Sequence, residues 1–282
     1  MSQNFLSIHA KSFNWAGFFL PKKTYEHCSN LYDFCRTLDD IVDQNVDLEI
    51  KKKLFEEFKK NFLDKNNDNK ILNTIHELIK DFQISNKIIL DLFDGVESDL
   101  KNKVTLETKE ELIIYSYRVA GTVGLMMAKI LNVKSKTSLK AAIDLGIAMQ
   151  LTNIARDVVE DNDLNRNYIN PSFDSIIETL KLADTFYESS FKSIGNIPIN
   201  CRFAILVARR VYRQIGIEIL KRENLENYKN SGKIYVSNLG KFNQTLLSIL
   251  DFIKLIFIKS DEHFKTNEHN MINEKINIDE RI

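Results

Sequence analysis

The amino-acid sequence predicts an all-α protein, and three observations carry that expectation. Breakers are few: nine Gly and three Pro in 282 residues, about 3% and 1%, against averages of about 7% and 5%. The apolar residues recur with helical period over long stretches. Pro21, Pro171 and Pro198 fall between those stretches, where proline starts or ends a helix. Apolar residues make up 44% of the chain, enough for a large core.

Residues 1–20 are moderately apolar and end in FFLP. A long helix is expected over 22–46, where Tyr25, Cys28, Leu31, Tyr32, Cys35, Leu38 and Val42 keep the 3.6 period. A second amphipathic helix is expected over 49–63, closed by the polar loop DKNNDN, with helices over about 70–82 and 86–100 after it. Thr108, with Glu111 three residues on, has the form of a capping box. It opens a long helix through YSYRVAGTVGLMMAKIL. The next helix is expected over 136–159, followed by the polar loop NDLNRNYINPS, and two more over 173–194 and 199–222. The segment 236–258 is strongly apolar but interrupted by Asp251 and Lys254. It reads as a core helix, or else an interfacial one, rather than a membrane span. One folded unit is expected over 1–259 and a polar, frayed tail over 260–282.

Several classes of function are excluded. Thirty-nine basic and 39 acidic residues cancel, which removes a general argument for nucleic-acid binding. Cys28, Cys35 and Cys201 form no CxxC and read as reduced thiols. The five His form no HExxH, so zinc is not expected. No signal-like apolar region opens the chain and no run of 18 apolar residues follows, so a cytoplasmic protein is expected.

The chemistry gathers in two columns of oxygens. In AMQLTNIARDVVEDNDLNRNY, Gln150, Asn153, Asp157 and Asp161 fall on one face of a helix. In RTLDDIVDQ, Asp39 and Asp43 form a second column. Like charges at i, i+4 repel, so a bound cation explains such columns most easily. An Asp pair of this spacing is also common on a solvated helix face. The company favours the cation: two amides on one column, and Tyr32 seven residues before Asp39 on the other. Oxygen ligands on two helices suit Mg²⁺, which bridges carboxylates to substrate phosphates. Neither GxxxxGK[ST] nor GxGxxG is present to supply the phosphate site. Arg36, Arg156 and Arg166 stand close by and could carry phosphate charge. Ala120, Gly121 and Gly124 are small residues inside a helix. They serve either close helix packing or an open channel for a long apolar substrate, with Tyr115 at its rim.

These stretches resemble the phytoene and squalene synthase family, the head-to-head (C1–C1′) prenyl synthases, over about residues 9–235. HAKSFNWAGFFLP resembles the N-terminal segment, LYDFCRTLDDIVD the first Asp-rich motif, YSYRVAGTVGLM the central motif and AMQLTNIARDVVEDNDLNRNY the second Asp-rich motif. The resemblance implies the all-α class I terpenoid synthase fold, a single helical domain around a central cavity. It implies that Asp39, Asp43, Asn153, Asp157 and Asp161 bind Mg²⁺, with Mn²⁺ the alternative, and diphosphate through it. His9, Lys11, Ser12, Arg36, Arg156, Arg166 and Tyr235 would lie around the diphosphates or the site mouth. Tyr32, Tyr115, Gln150, Tyr168 and Tyr212 would line the reacting region, with Phe13 beside them to stabilise cations. Two departures stand out. NRNYINP replaces the RGR-x-YLP of phytoene synthases, losing one Arg, and Lys233 stands where members often have Arg.

The implied mechanism ionises one allylic diphosphate, adds the second molecule's double bond and loses a proton to give a cyclopropylcarbinyl diphosphate. A second ionisation, rearrangement and proton loss give the triene. No dinucleotide motif or C-terminal membrane helix is present, which favours a non-reductive product made without NADPH. Gly17 lies four residues after Phe13 and Ser29 three before Tyr32; both are expected to face the cavity and leave it long. The expectation is therefore geranylgeranyl diphosphate converted to phytoene, in carotenoid biosynthesis. The alternatives are a C15-using dehydrosqualene, squalene or hydroxysqualene synthase, and a non-catalytic scaffold member. Implied partners are the prenyl diphosphate, downstream carotenoid enzymes and a membrane surface touched peripherally.

Overall fold

One helix is buried on every side, and the chain packs around it. The computed structural model describes residues 11–66, 69–258, 263 and 265–282. Its helices are α1 (Lys11–Gly17), α2 (Lys22–Asp43), α3 (Leu48–Leu63), α4 (Lys70–Asp81), α5 (Asn86–Glu97), α6 (Lys109–Ser116) and α7 (Thr122–Ile130). They continue with α8 (Lys136–Arg156), α9 (Val158–Asp163), α10 (Phe173–Phe191), α11 (Ile199–Leu220), α12 (Leu225–Asn230), α13 (Asn238–Phe257) and α14 (Asn267–Lys275). The only strands among the described residues are β1 (Val104–Thr105) and β2 (Arg166–Asn167), paired in parallel.

α8 is the buried helix. Its sequence is apolar or small on nearly every side, which suits a core helix rather than an amphipathic one. It packs against α7, α10 and α11. The α7 contact is backbone to backbone. A Cβ on Gly124 would run into the Ala142 carbonyl oxygen, and one on Gly146 into that of Ala120. Close packing thus accounts for Gly124. The expected single helix over this region is interrupted, because Tyr117–Gly121 forms a π-helical turn between α6 and α7. Tyr117 anchors that turn by donating to Asp91 at 2.8 Å.

Elsewhere the local signals hold. Thr108 and Glu111 close the capping box, with Glu111 N donating to Thr108 Oγ1 and Thr108 N to Glu111 Oε2, both at 3.1 Å. Phe55, Phe58 and Phe62 form one stripe of α3 and pack on Phe93 of α5 and Phe34 of α2.

Two expectations are corrected. Over residues 265–282 the tail is not frayed. His269 Nε2 lies 3.0 Å from Asp144 Oδ1 of α8, His263 Nε2 lies 2.7 Å from Oδ2, and Ser189 donates to the same carboxylate at 2.6 Å. Burial alone would raise the Asp144 carboxyl, but these imidazoles hold it below the usual range. Arg281 pairs with Asp91 at 2.9 and 3.1 Å. Two buried carboxylates on the body therefore fasten the polar tail. The second correction concerns α13, most of whose apolar residues do not form core: Leu255 is buried and Phe252 packs against the core, but Leu250 is 61% and Phe257 81% exposed.

Candidate active site

α2 carries the first column. Asp39 and Asp43 are exposed on one side, while protein surrounds Asp39 on its other sides. That enclosure, followed by repulsion from Asp43, pushes the Asp39 carboxyl up to about 7. Arg36 pairs with Asp40 one turn on, at 2.6 Å.

The second column crosses a break. α8 ends at Arg156, and Asp157 leaves helical geometry at φ −107°, ψ 17° before α9 begins. The hydrogen bonds still bridge the join, Asp157 N to Asn153 O and Asp161 N to Asp157 O, both at 2.8 Å. The column therefore survives an interruption that the continuous helix expected over 136–159 did not contain. Tyr228 donates to Arg156 O at 2.6 Å and fixes the end of α8. Arg156 grips Asp157 through two bonds, 2.8 and 2.5 Å, and Lys233 lies 3.1 Å from the same carboxylate. Burial, then the charge of Asp157, pushes Asp161 up to about 7. Asn153 Oδ1 is buried and has no hydrogen-bond partner.

Asp99, which the motif reading missed, joins the two columns. Its charge acts on both Asp39 and Asp161. It lies just beyond α5, which stops at Glu97 rather than at the expected residue 100. Tyr115 donates to its Oδ2 at 2.8 Å and Tyr168 to its Oδ1 at 2.9 Å. The two rings stack with centroids 4.7 Å apart. Burial raises the Asp99 carboxyl, against the pull of Arg166 and the two hydroxyls. Arg166 also donates to Asp43 at 2.8 Å, across from α2. The β1–β2 pairing, Val104 opposite Arg166 and Thr105 opposite Asn167, holds that loop in place.

Beneath the carboxylates lies an apolar cavity of about 250 Å³. Its lining runs along α8 from Ser138 to Asn153, which at 1.5 Å per residue is about 22 Å. Tyr32, Gln150, Asn153 and Tyr212 line its polar part, and Leu131, Val133 and Ile194 are among the apolar residues. Ala120, Gly124, Ala142 and Gly146 also line it. The small residues thus serve both packing and channel.

The structure brings together Asp39, Asp43, Asn153, Asp157, Asp161, Tyr32, Arg36, Gln150, Arg156, Arg166 and Tyr212. Tyr235 is 58% exposed beside the Arg156 charge. Gly17 lines the cavity. Ser29 does not: it is buried, and Cys28 takes the lining position one residue earlier. Tyr115 and Tyr168 do not line the cavity either; they are buried with their hydroxyls engaged on Asp99. His9 and the side chains of Lys11, Ser12 and Phe13 lie outside the described residues. Asp99 had no partner at helical spacing to reveal it, since ESDLKNK reads as a helix end and loop.

The donor set suits a hard cation. It consists of carboxylates and one amide oxygen, and the amide oxygen lacks any other partner. A family model described as squalene/phytoene synthase matches residues 6–173. A 15-cis-phytoene synthase of Paracoccus sp. (strain N81106 / MBIC 01143) is 35% identical over 150 residues, 47% of this chain and 49% of the relative. The matched part thus spans about half the length of that relative. A 4,4'-diapophytoene synthase of Staphylococcus haemolyticus (strain JCSC1435) is 28% identical over 260 residues, 83% of this chain and 90% of the relative. Among solved structures, a dehydrosqualene synthase in complex with ligand superposes with a TM-score of 0.71 at 26% identity, covering 89% of this chain and 94% of that one.

Proposed function

The chain belongs to the squalene/phytoene synthase family, and on that premise we propose that it is a prenyltransferase joining two geranylgeranyl diphosphates head to head into phytoene, by way of prephytoene diphosphate. The observation that carries the reading is a junction: a long apolar cavity ends at Gln150 and Asn153, directly on the oxygen column. Asp39, Asp43, Asn153, Asp157 and Asp161 would hold Mg²⁺ or Mn²⁺, whose charge stabilises diphosphate as a leaving group.

The chain's own residues do the rest. Arg156 and Lys233 on Asp157, Arg166 on Asp43, and Arg36 on Asp40 hold cationic charge at the mouth. On substrate binding those cations turn to the diphosphates. Tyr32 and Tyr212 stay neutral, the latter pushed up to about 12 by burial, so they offer ring faces and hydroxyls to a carbocation without being titrated. The apolar wall keeps water from that cation. The condensation needs no hydride, and its hydrocarbon product passes to an apolar receiver such as a downstream carotenoid enzyme.

A C15-using reading is favoured by two resemblances, to the dehydrosqualene synthase structure and to the staphylococcal diapophytoene synthase. The small residues Gly17 and Ala120 along the cavity favour the longer chain. The test is chromatography of products from geranylgeranyl and farnesyl diphosphates, with Mg²⁺ or Mn²⁺, with and without NADPH. Phytoene made equally with and without NADPH, and diphosphate release lost in Asp39→Ala and Asp157→Ala, is the expected result. C30 hydrocarbon alone from mixed diphosphates selects the second reading. A folded wild type that releases no diphosphate from either substrate points to a scaffold.

A further inference from the structure

α13 is inside out. Its stripe toward the protein is polar from Lys241 to Asp251, and only Phe252 and Leu255 at its end are apolar. Arg210 clasps Asp251 at 2.5 and 2.9 Å, Gln244 donates to Gln214 at 2.8 Å, and Trp15 donates to Thr245 at 3.0 Å. Ser248 and Lys241 are buried on the same stripe. Its outward stripe is Leu239, Phe242, Leu246, Leu250, Ile253 and Phe257, spaced three and four apart and all exposed. A helix on a water-soluble surface is built the other way round. The inward hydrogen bonds lock the rotation, so the apolar face cannot turn away.

Other elements extend this face. The Phe19 ring lies 5.0 Å from Phe203, edge on, and Phe203 lies 6.3 Å from Phe252 of α13. Phe18 is 76% exposed, and Ile199 stands exposed one turn before Phe203. An apolar patch therefore runs from the end of α1 over the start of α11 and along α13. It abuts the cavity: Gly17 and Leu20 on one side of it, and Ile197 and Ala204 on the other, line that cavity.

We infer that this face docks on the surface of an anionic lipid bilayer, with α13 lying in the headgroup boundary. Three features select a bilayer. The charge at the face is basic: Lys22 and Lys23 directly follow FFLP, Arg202 lies over the Phe252 ring, and Lys254 is exposed on α13. The one acid on α13, Asp251, is buried and neutralised by Arg210. No helix among the described residues is long and apolar enough to cross a membrane, so α13 lies on the surface instead of spanning. The patch also adjoins the walls of an apolar cavity, so a hydrocarbon leaving that cavity would meet acyl chains. The docking stands whichever prenyl chain is used, because no substrate takes part in it.

The test is flotation of the purified protein with phosphatidylglycerol–phosphatidylcholine vesicles, against phosphatidylcholine vesicles alone. The wild type floats with the anionic vesicles, and raised salt weakens that association. The double variant Leu246→Glu/Leu250→Glu binds roughly tenfold or more weakly, since each change removes a large apolar side chain from the interface. Circular dichroism confirms that it keeps its fold, and Lys254→Glu gives a smaller, salt-sensitive loss. A wild type that stays unbound with both vesicle types overturns the inference. So does light scattering that shows a dimer abolished by Leu246→Glu/Leu250→Glu while vesicle binding is unchanged, which would assign the face to a second copy.

Discussion

Asn153→Leu separates a ligand from a defect. Asn153 Oδ1 is buried with no partner, at the point where the apolar cavity meets the second carboxylate column. A buried oxygen left without a hydrogen bond costs about 1–3 kcal/mol. Leucine has nearly the same shape and carries no polar group. In chelator, Asn153→Leu is therefore expected to be more stable than wild type by about 1–3 kcal/mol, a rise of several degrees in thermal midpoint. The same change removes one oxygen from the cation site. With Mg²⁺ and an unreactive thio-diphosphate analogue, the wild type gains stability by linkage and the variant gains less. kcat/KM for diphosphate release should fall by roughly a hundredfold, or about 2.7 kcal/mol of lost transition-state stabilisation. Differential scanning fluorimetry in the two buffers and a diphosphate-release assay read both halves. A variant that is less stable in chelator, or one that keeps full activity and full response to Mg²⁺, refutes the role given to this amide.

Tyr168→Phe removes one of the two hydroxyls that donate to Asp99 and leaves the stacked ring, so stability should drop by about 1.5–3 kcal/mol; urea unfolding measures it, and an unchanged midpoint would show that Asp99 does not need the bond. Asp39 and Asp161 are pushed from 3.8 up to about 7 without metal, so the folded chain holds protons there that the unfolded chain has released, and their contribution to stability falls as pH rises from about 4 to about 7. The stability of metal-free Asp161→Asn relative to wild type should therefore rise across that window, and Mg²⁺ should stabilise the wild type more at pH 8 than at pH 5; a flat difference contradicts the electrostatics. His269→Ala takes one of three donors from buried Asp144 and the cap from Thr266, so it should cost about 1.5–3 kcal/mol and speed hydrogen exchange in residues 265–282; unchanged exchange means the tail is held by other contacts.

Much of this molecule could be read before any coordinates, and what could not has a physical cause. Helix positions follow from period and punctuation, both local properties: the Thr108 box, the Phe55–Phe58–Phe62 stripe and the two Asp columns are each set by residues within two turns of one another. The π-helical turn at Tyr117–Gly121 is different. It arises where the backbone beside Gly121 meets α8, and that contact joins residues far apart in sequence. Asp99 was hidden for the same reason. Its meaning comes from Tyr115, Tyr168 and Arg166, none of which shares a helix with it. The tail looked frayed because polar composition argues against a core. It is held instead by His269 on Asp144 and Arg281 on Asp91, in which buried carboxylates on the body supply the partners. α13 carries this furthest. Its sequence reads as strongly apolar, yet Lys241, Gln244, Thr245, Ser248 and Asp251 recur along it at helical spacing, and periodicity has no sign. Which face turns inward depends on whether the body offers hydrocarbon or hydrogen-bonding groups, and here Arg210, Gln214 and Trp15 offer the latter. An amphipathic pattern thus specifies a pair of faces, and the partner surface decides which of them meets solvent.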